Sequence, residues 1–152
     1  MATTGAKTVE FERILLNYLF DGAGSAPDNL LYIGLVSGNP DVDDVSASAW
    51  HSTHEVAAGR GYARQSVQAG QMNAASTNAV APFATTIDNA TEINFGTSTA
   101  AGWGTVTGFF IANTDVEGAT GTYYYGIFDT PKSVEDGDSV RIIAGNLTIE
   151  ER

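Results

Sequence analysis

The sequence predicts a mainly β fold: an antiparallel β-sandwich or barrel-like domain with one N-terminal α-helix. Three observations support this prediction. Apolar residues alternate with a period of two along several short segments after residue 29. Glycine, proline and asparagine separate these segments, as they do in turns between strands. Before them, residues 8–20 carry apolar side chains at three- and four-residue steps, which is the period of a helix.

The helix is predicted to begin after Thr8 and to end at Gly22. A threonine hydroxyl is a good N-cap because it accepts a hydrogen bond from a free backbone N–H. Glycine suits the left-handed conformation that ends many helices. One broad apolar stripe on this helix consists of Phe11, Ile14, Leu15, Tyr18 and Leu19.

Strands are predicted at residues 29–38, 61–68, 91–96, 103–112 and 122–129, with one or two more within 139–151. The first has apolar residues on both faces, which indicates a central strand. Alternation in the fourth places Trp103 and Phe109 on one face, and Val106 and Phe110 on the other. Residues 71–90 read as a loop and residues 130–138 as a turn.

The length of 152 residues suits one domain. Residues 1–7 are predicted to form an N-terminal arm that orders on a neighbouring molecule, and residues 8–152 a single β-rich domain. Eighteen acidic and seven basic residues give a net charge of −11, which repels phosphates and anionic lipids. We therefore expect neither nucleic acid nor a membrane as a partner, and the N-terminus lacks the pattern of a signal peptide.

Candidate metal and catalytic residues are few. His51 and His54 have a spacing that would suit two metal ligands on a helix, but no third ligand is evident, and loop histidines are the simpler reading. Asp41 and Asp43 begin like a calcium loop, but no glycine follows where such a loop needs one. We expect no metal and no cofactor.

The sequence contains none of the motifs that mark nucleophilic hydrolases, nucleotide-binding loops or dinucleotide enzymes. We therefore expect a protein that is not an enzyme and has no catalytic residues. A pair of glycosidase carboxylates drawn from distant segments stays open as an alternative. Arg64, flanked by Tyr62 and Ser66, is expected to pair with a carboxylate or to stack on an aromatic ring.

Large aromatic side chains are expected on both faces of strands, with one face forming the core and the other lying between subunits or under a second layer. Trp50 and Trp103 are the candidates for a glycan platform. The full set of candidate contact residues is Lys7, Trp50, Tyr62, Arg64, Trp103, Phe109, Phe110, Tyr123, Tyr124 and Tyr125.

Five segments in order, LLNYLF, LYIGLVSGNP, GYARQSV, INFG…GWGTVTGFFI and TPKSVEDGDSVRIIAGNLTI, together resemble a family of tailed-bacteriophage structural proteins. Members of that family are often described as tail fibre proteins, and some decorate virion heads. The resemblance implies a compact β-domain that assembles on a virion as a symmetric oligomer, and it implies no catalytic residues. The loop at residues 41–59 departs from the family pattern, so we expect specificity to differ there.

The function predicted from this resemblance is that of a capsid decoration, or cement, protein, made in the host cytoplasm. It would bind the major capsid protein on the outer surface of the head, as a trimer, and stiffen the lattice. The alternative is a tail adaptor or tail-fibre module that binds tail proteins or a host glycan.

Overall fold

The computed structural model describes residues 3–22, 26–27, 29–37, 54–57, 59–68, 70–78, 84–117 and 121–151. Within this part, the helix α1 spans Val9–Leu16 and continues as a π-helical turn over Asn17–Asp21. Ten strands are present: β1 Thr3–Lys7, β2 Tyr32–Ser37, β3 Gln65–Ser66, β4 Ser76–Thr77, β5 Thr85–Asp88, β6 Ile93–Thr97, β7 Gly104–Ala112, β8 Thr122–Val134, β9 Ser139–Ile142 and β10 Thr148–Glu151.

The strands form three antiparallel sheets. The largest has five strands in the order β1-β8-β7-β2-β3, the second has the order β10-β5-β4, and β6 pairs with β9. This confirms the predicted fold class, a mainly antiparallel β protein with one N-terminal helix. None of the three sheets closes into a barrel within the described residues. In the same part of the chain, no helix is long and apolar enough to cross a membrane.

The segment predicted as an N-terminal arm contains β1, which is an edge strand of the five-stranded sheet. Its pairing with β8 runs from Thr3 opposite Phe128 to Lys7 opposite Tyr124. Thr3–Lys7 therefore belong to the chain's own sheet and do not project from it. The grouping of residues 8–152 into one domain stays a prediction.

The helix begins where the sequence predicts. The backbone N–H of Phe11 donates to the Thr8 hydroxyl at 3.2 Å, and that hydroxyl donates to the Thr122 carbonyl at 2.6 Å. Gly22 follows the π-helical turn with φ of 62°, the left-handed conformation. The cap therefore also ties the start of the helix to the first residue of β8.

Both faces of the five-stranded sheet are apolar. Ile33 and Leu35 of β2 face the main core, and Val36 faces a smaller cluster with Phe110 and Ala112. Burial on both faces confirms the prediction of a central strand, since β2 pairs with β7 on one side and β3 on the other. The main core also contains buried side chains from the other two sheets and the loops, among them Val56, Tyr62, Ile93, Phe95, Trp103, Ile142 and Leu147.

The predicted face of Val106 is wrong. Val106 lies in the main core with Phe109 and Ile111, whereas the alternation had placed it with Phe110. The pairing of β7 with β8 shifts between Val106 and Gly108, and such an irregularity turns the following side chains to the other face.

Candidate docking surface

Arg64 and Glu55 form a buried ion pair beside the sheet. Arg64 Nε lies 2.8 Å from Glu55 Oε1, and Arg64 Nη2 donates to Glu55 Oε2 at 2.8 Å, so the contact is bidentate. Nη1 donates to the Thr114 carbonyl at 2.9 Å, and the guanidinium carbon lies 4.9 Å from the centroid of the Phe110 ring. The prediction that Arg64 pairs with a carboxylate or stacks on an aromatic is confirmed in both of its forms.

Tyr62 extends this buried network. Its hydroxyl donates to Glu55 Oε1 at 2.9 Å and accepts from the backbone N–H of Leu35 at 2.9 Å. Burial raises the pKa of the Tyr62 hydroxyl and the charge of Glu55 raises it further, so the phenol keeps its proton. Burial also raises the pKa of Glu117; Glu55 adds to that rise and Arg64 opposes it.

The ion pair joins two described segments beside the sheet, residues 54–57 and residues 59–68. Glu55 pairs with Val36 as an isolated β-bridge, and the backbone N–H of Val56 donates to the Leu35 carbonyl at 3.0 Å. These contacts hold the carboxylate under the guanidinium. The arrangement is closed: the Arg64 side chain has no exposed surface and that of Glu55 has 4 %, so the geometry supports a structural role for the pair.

The predicted contact residues are mostly interior. Trp103 is 4 % exposed, and its indole N–H donates to the Arg60 carbonyl at 2.7 Å, so it offers no platform for a glycan. Lys7, Tyr124 and Tyr125 are half-buried, and their contact with another molecule stays a prediction. Trp50 lies outside the described residues. The others are buried in the chain's own core: Tyr62, Arg64, Phe109, Phe110 and Tyr123.

The predicted metal candidates are only partly described. His51, Asp41 and Asp43 lie outside the described residues, as does most of the loop at residues 41–59. His54 is half-buried, and its backbone carbonyl accepts from the Ser37 hydroxyl at 3.4 Å. Among the residues that the structure describes, no three His, Asp or Glu side chains come together as metal ligands would.

The end of the helix presents large apolar side chains to solvent. We call the set Leu16, Tyr18, Leu19 and Phe20 the apolar helix end; their exposed fractions are 58, 45, 64 and 81 %. Of the predicted stripe, only Phe11 is fully buried, with its ring stacked at 4.3 Å on Tyr123. Sequence reasoning treated the whole stripe as one face. A signal against that reading is the run from Ile14 to Phe20, in which apolar residues surround the helix axis.

An apolar pocket lies at the other end of the same helix. Its volume is about 330 Å³, and it opens between α1, the five-stranded sheet and the β10-β5-β4 sheet. No charged side chain is among the described residues that line it. Its walls include Phe11, Leu31, Met72, Ile87, Tyr124 and Ile149. Sequence reasoning missed the pocket because its walls come from segments far apart along the chain.

A second, more polar groove of about 500 Å³ runs along β8 and β9. Lys132 and Arg141 line it with Ser133 and Ser139, and Arg141 lies 3.6 Å from Glu92 at the surface. The predicted tight turn closes one end: Gly137 has φ of 88°, and the backbone N–H of Asp138 donates to the Glu135 carbonyl at 3.1 Å. The turn is thus confirmed, although it is shorter than residues 130–138.

The fold and its surface define a small β-rich domain with exposed apolar side chains at the end of its helix. A model of the family described as "Podophage GP4 fiber I protein gp80" matches residues 6–150. The chain belongs to this family, and it is therefore a structural protein of the fibre type from a bacteriophage virion. This confirms the resemblance drawn from the sequence. No curated protein matches the chain.

Proposed function

We propose that the chain is a non-enzymatic component of a phage fibre, attached to the virion through contacts with other virion proteins. The support for the fibre is the description of the family, whose model covers nearly the whole chain. The support for attachment through protein contacts is the apolar helix end. Capsid decoration, the function predicted from the sequence, is the second candidate, because the same exposed apolar surface suits it.

The exposed Phe20 side chain is the single observation that carries the docking role. A contiguous set of large apolar side chains on a soluble domain marks an interaction site more often than chance exposure does. Water contacts most of the Phe20 ring, and covering it with another protein removes that apolar surface from water. Aromatic side chains are also enriched in the centres of protein interfaces.

The net charge of the chain and the symmetry of oligomers indicate which partners to propose. A net charge of −11 opposes binding to nucleic acid or to an anionic membrane. This charge leaves a host glycan open as the alternative, and the exposed apolar helix end favours a protein partner. In a fibre the partner is a tail protein together with further copies of this chain, and in decoration it is the major capsid protein. A closed symmetric oligomer, a trimer in our proposal, leaves no apolar end exposed.

Imaging of virions tests whether the chain lies in a tail fibre or on the outer surface of the head. A phage that lacks the gene is complemented with the wild-type chain, and the two virion preparations are compared at near-atomic resolution. Difference density along a fibre at the tail supports the proposal. Difference density in a regular lattice on the shell overturns the fibre and supports decoration.

Matched variants test the surface. Complementation with Phe20→Ser should reduce incorporation into virions, because the apolar helix end loses its most exposed ring. Ile143→Ser changes another apolar residue, 59 % exposed, and should leave incorporation unchanged. Equal incorporation of both variants would count against the helix end. Release of reducing sugar from host polysaccharide by the purified chain would overturn the non-enzymatic assignment.

A further inference from the structure

We infer that the apolar pocket receives Phe20 and Leu19 of a second copy of the same chain. The pocket and the apolar helix end are both apolar features that the fold leaves uncovered in the described part of the chain. They lie toward opposite ends of one short helix, since Phe11 lines the pocket near its start and Phe20 lies in the π-helical turn near its end. One copy therefore carries both halves of a contact.

The volume and the lining of the pocket match the size and the apolar character of the Phe20 and Leu19 side chains. A cavity of roughly 150 Å³ lined by Leu, Ile and Phe is enough for a benzene ring. The pocket, at about 330 Å³, has room for the Phe20 ring together with an aliphatic neighbour. Its walls are almost entirely aliphatic and aromatic, and a phenyl ring makes no polar demand on them.

A copy cannot use its own pocket. Nine residues separate Phe11 from Phe20, and at the helical rise of about 1.5 Å per residue this is roughly 13 Å along the axis. Phe20 is also 81 % exposed in the chain, so its ring is not folded back over the helix. A second copy can supply the ring, and each copy in a closed ring gives one helix end and accepts one.

Charge favours a neutral contact. Every copy carries a net charge of −11, so two copies repel each other wherever charged faces meet. The four side chains of the apolar helix end are uncharged, although the exposed Asp21 directly follows Phe20, and the described walls of the pocket contain no charged side chain. Because salt screens the repulsion and leaves apolar contact in place, association should tighten as salt rises.

The contact area sets the expected strength. The pocket takes two side chains, Phe20 and Leu19, so the area that this contact buries lies well below the roughly 1,200 Å² at which most stable interfaces begin. We therefore expect moderate association by the purified chain. Repetition of the contact around a ring or along a virion raises its effective strength without new contacts.

The experiment measures the mass of the purified chain by sedimentation over a range of concentrations and at two salt concentrations. Wild type should associate, more strongly at high salt, and Phe20→Ser should weaken association by roughly tenfold or more. Ala75→Trp, which places a ring at the exposed mouth of the pocket, should weaken it similarly. Ile143→Ser is the matched control and should associate like wild type.

Mixing the two defective variants gives the decisive result. The Phe20→Ser copy keeps an open pocket, and the Ala75→Trp copy keeps its Phe20 ring. The mixture should therefore associate more strongly than either variant alone. A mixture no stronger than its components, a wild type that stays monomeric, or association that weakens with salt would each overturn the inference. Circular dichroism first confirms that each variant is folded.

The inference rests on the proposed function and deepens it, because it names a second copy of the chain as the partner that covers the apolar helix end. Self-association without incorporation into virions would leave the inference standing and overturn the proposed attachment. Incorporation into virions without self-association of the purified chain would overturn the inference and leave the proposed attachment standing.

Discussion

Phe110 and Phe20 are the same residue type in opposite situations. Phe110 has no exposed surface: the guanidinium of Arg64 lies over its ring, and Val36 and Ala112 pack in the same cluster. Phe20 is 81 % exposed at the end of the helix. Contacts within the chain explain the interior aromatics of β7 and β8, whereas the Phe20 ring is mostly open to water in the part of the chain that the structure describes.

The difference separates two kinds of evidence for function. A buried aromatic contributes to the free energy of unfolding, and its removal is measured on the isolated chain. An exposed aromatic contributes little to unfolding, and its effect is measured only when a partner is present. Residues chosen from the sequence as contact candidates belong mostly to the first kind, and the apolar helix end belongs to the second.

Trp103→Ala should give the largest loss of stability among these tests, about 4 kcal/mol. The Trp103 ring is buried and lies edge-on to Tyr62 with 5.7 Å between the ring centroids. Its removal also leaves the Arg60 carbonyl without the indole N–H that donates to it. Denaturant unfolding followed by circular dichroism measures the loss. Trp103→Phe, which keeps an aromatic ring, should lose less. If the alanine variant loses less than about 1 kcal/mol of unfolding free energy, the Trp103 ring is not part of the core in solution.

Glu55→Gln should cost about 3 kcal/mol, because it leaves the Arg64 charge buried without its counter-ion. The amide keeps the shape of the carboxylate, so the loss reports charge and not volume. Adding Arg64→Met should recover part of the stability, since no unpaired charge remains. If the losses of the two single variants simply add in the double variant, the charges of Glu55 and Arg64 are not coupled. The burial of Arg64 over the Phe110 ring would then need another explanation.

Gly34→Ala should cost about 2 kcal/mol by overpacking. A Cβ at this position would lie 2.6 Å from Phe110 Cε1 and 2.8 Å from the Tyr62 hydroxyl. Phe110→Leu in the same chain frees space, so the double variant should lose less than the sum of the single losses. Unfolding curves of the wild type, the two single variants and the double variant test this prediction. Strictly additive losses of unfolding free energy would contradict the close approach of Gly34 to the Phe110 ring.

The locally determined parts of the fold were predictable. Thr8 and Gly22 mark the ends of the helix because capping depends on one residue and its neighbours. The sequence predicts one or two strands within residues 139–151, and the structure has two, β9 and β10, with Gly145 in the left-handed conformation between them. In each case the deciding contacts lie within a few residues along the chain.

The parts that depend on distant pairing were not predictable. Thr85–Asp88 was read as loop, but it is a strand because β10 pairs with it across some 60 residues of chain. The sequence predicts a turn over residues 130–138, and the structure contradicts this for residues 130–134. They continue β8, and Pro131 sits where the register jumps from Ile127 to Lys132, so no ladder bond needs its missing N–H. Only Gln65–Ser66 of the predicted strand 61–68 pairs as a strand.

The candidate site shows the same division. Arg64 could be expected to find a carboxylate, but the choice of Glu55 among eighteen acids depends on the bridge between Glu55 and Val36. The apolar helix end is visible in the sequence as a stripe. Its exposure depends on how far β8 and its neighbours extend under the helix, which no local pattern records.

Phe20→Ser should give the smallest effect on stability, less than about 0.5 kcal/mol, because the ring makes little contact within its own chain. Denaturant unfolding at a concentration low enough to keep the chain monomeric measures it, beside Phe110→Ser as the buried counterpart. The buried variant should unfold at much lower denaturant. If the two variants lose similar stability, Phe20 belongs to the core in solution, and the contrast between covered and uncovered aromatics fails. If Phe20→Ser keeps its stability while association falls, the ring serves another molecule and not its own fold.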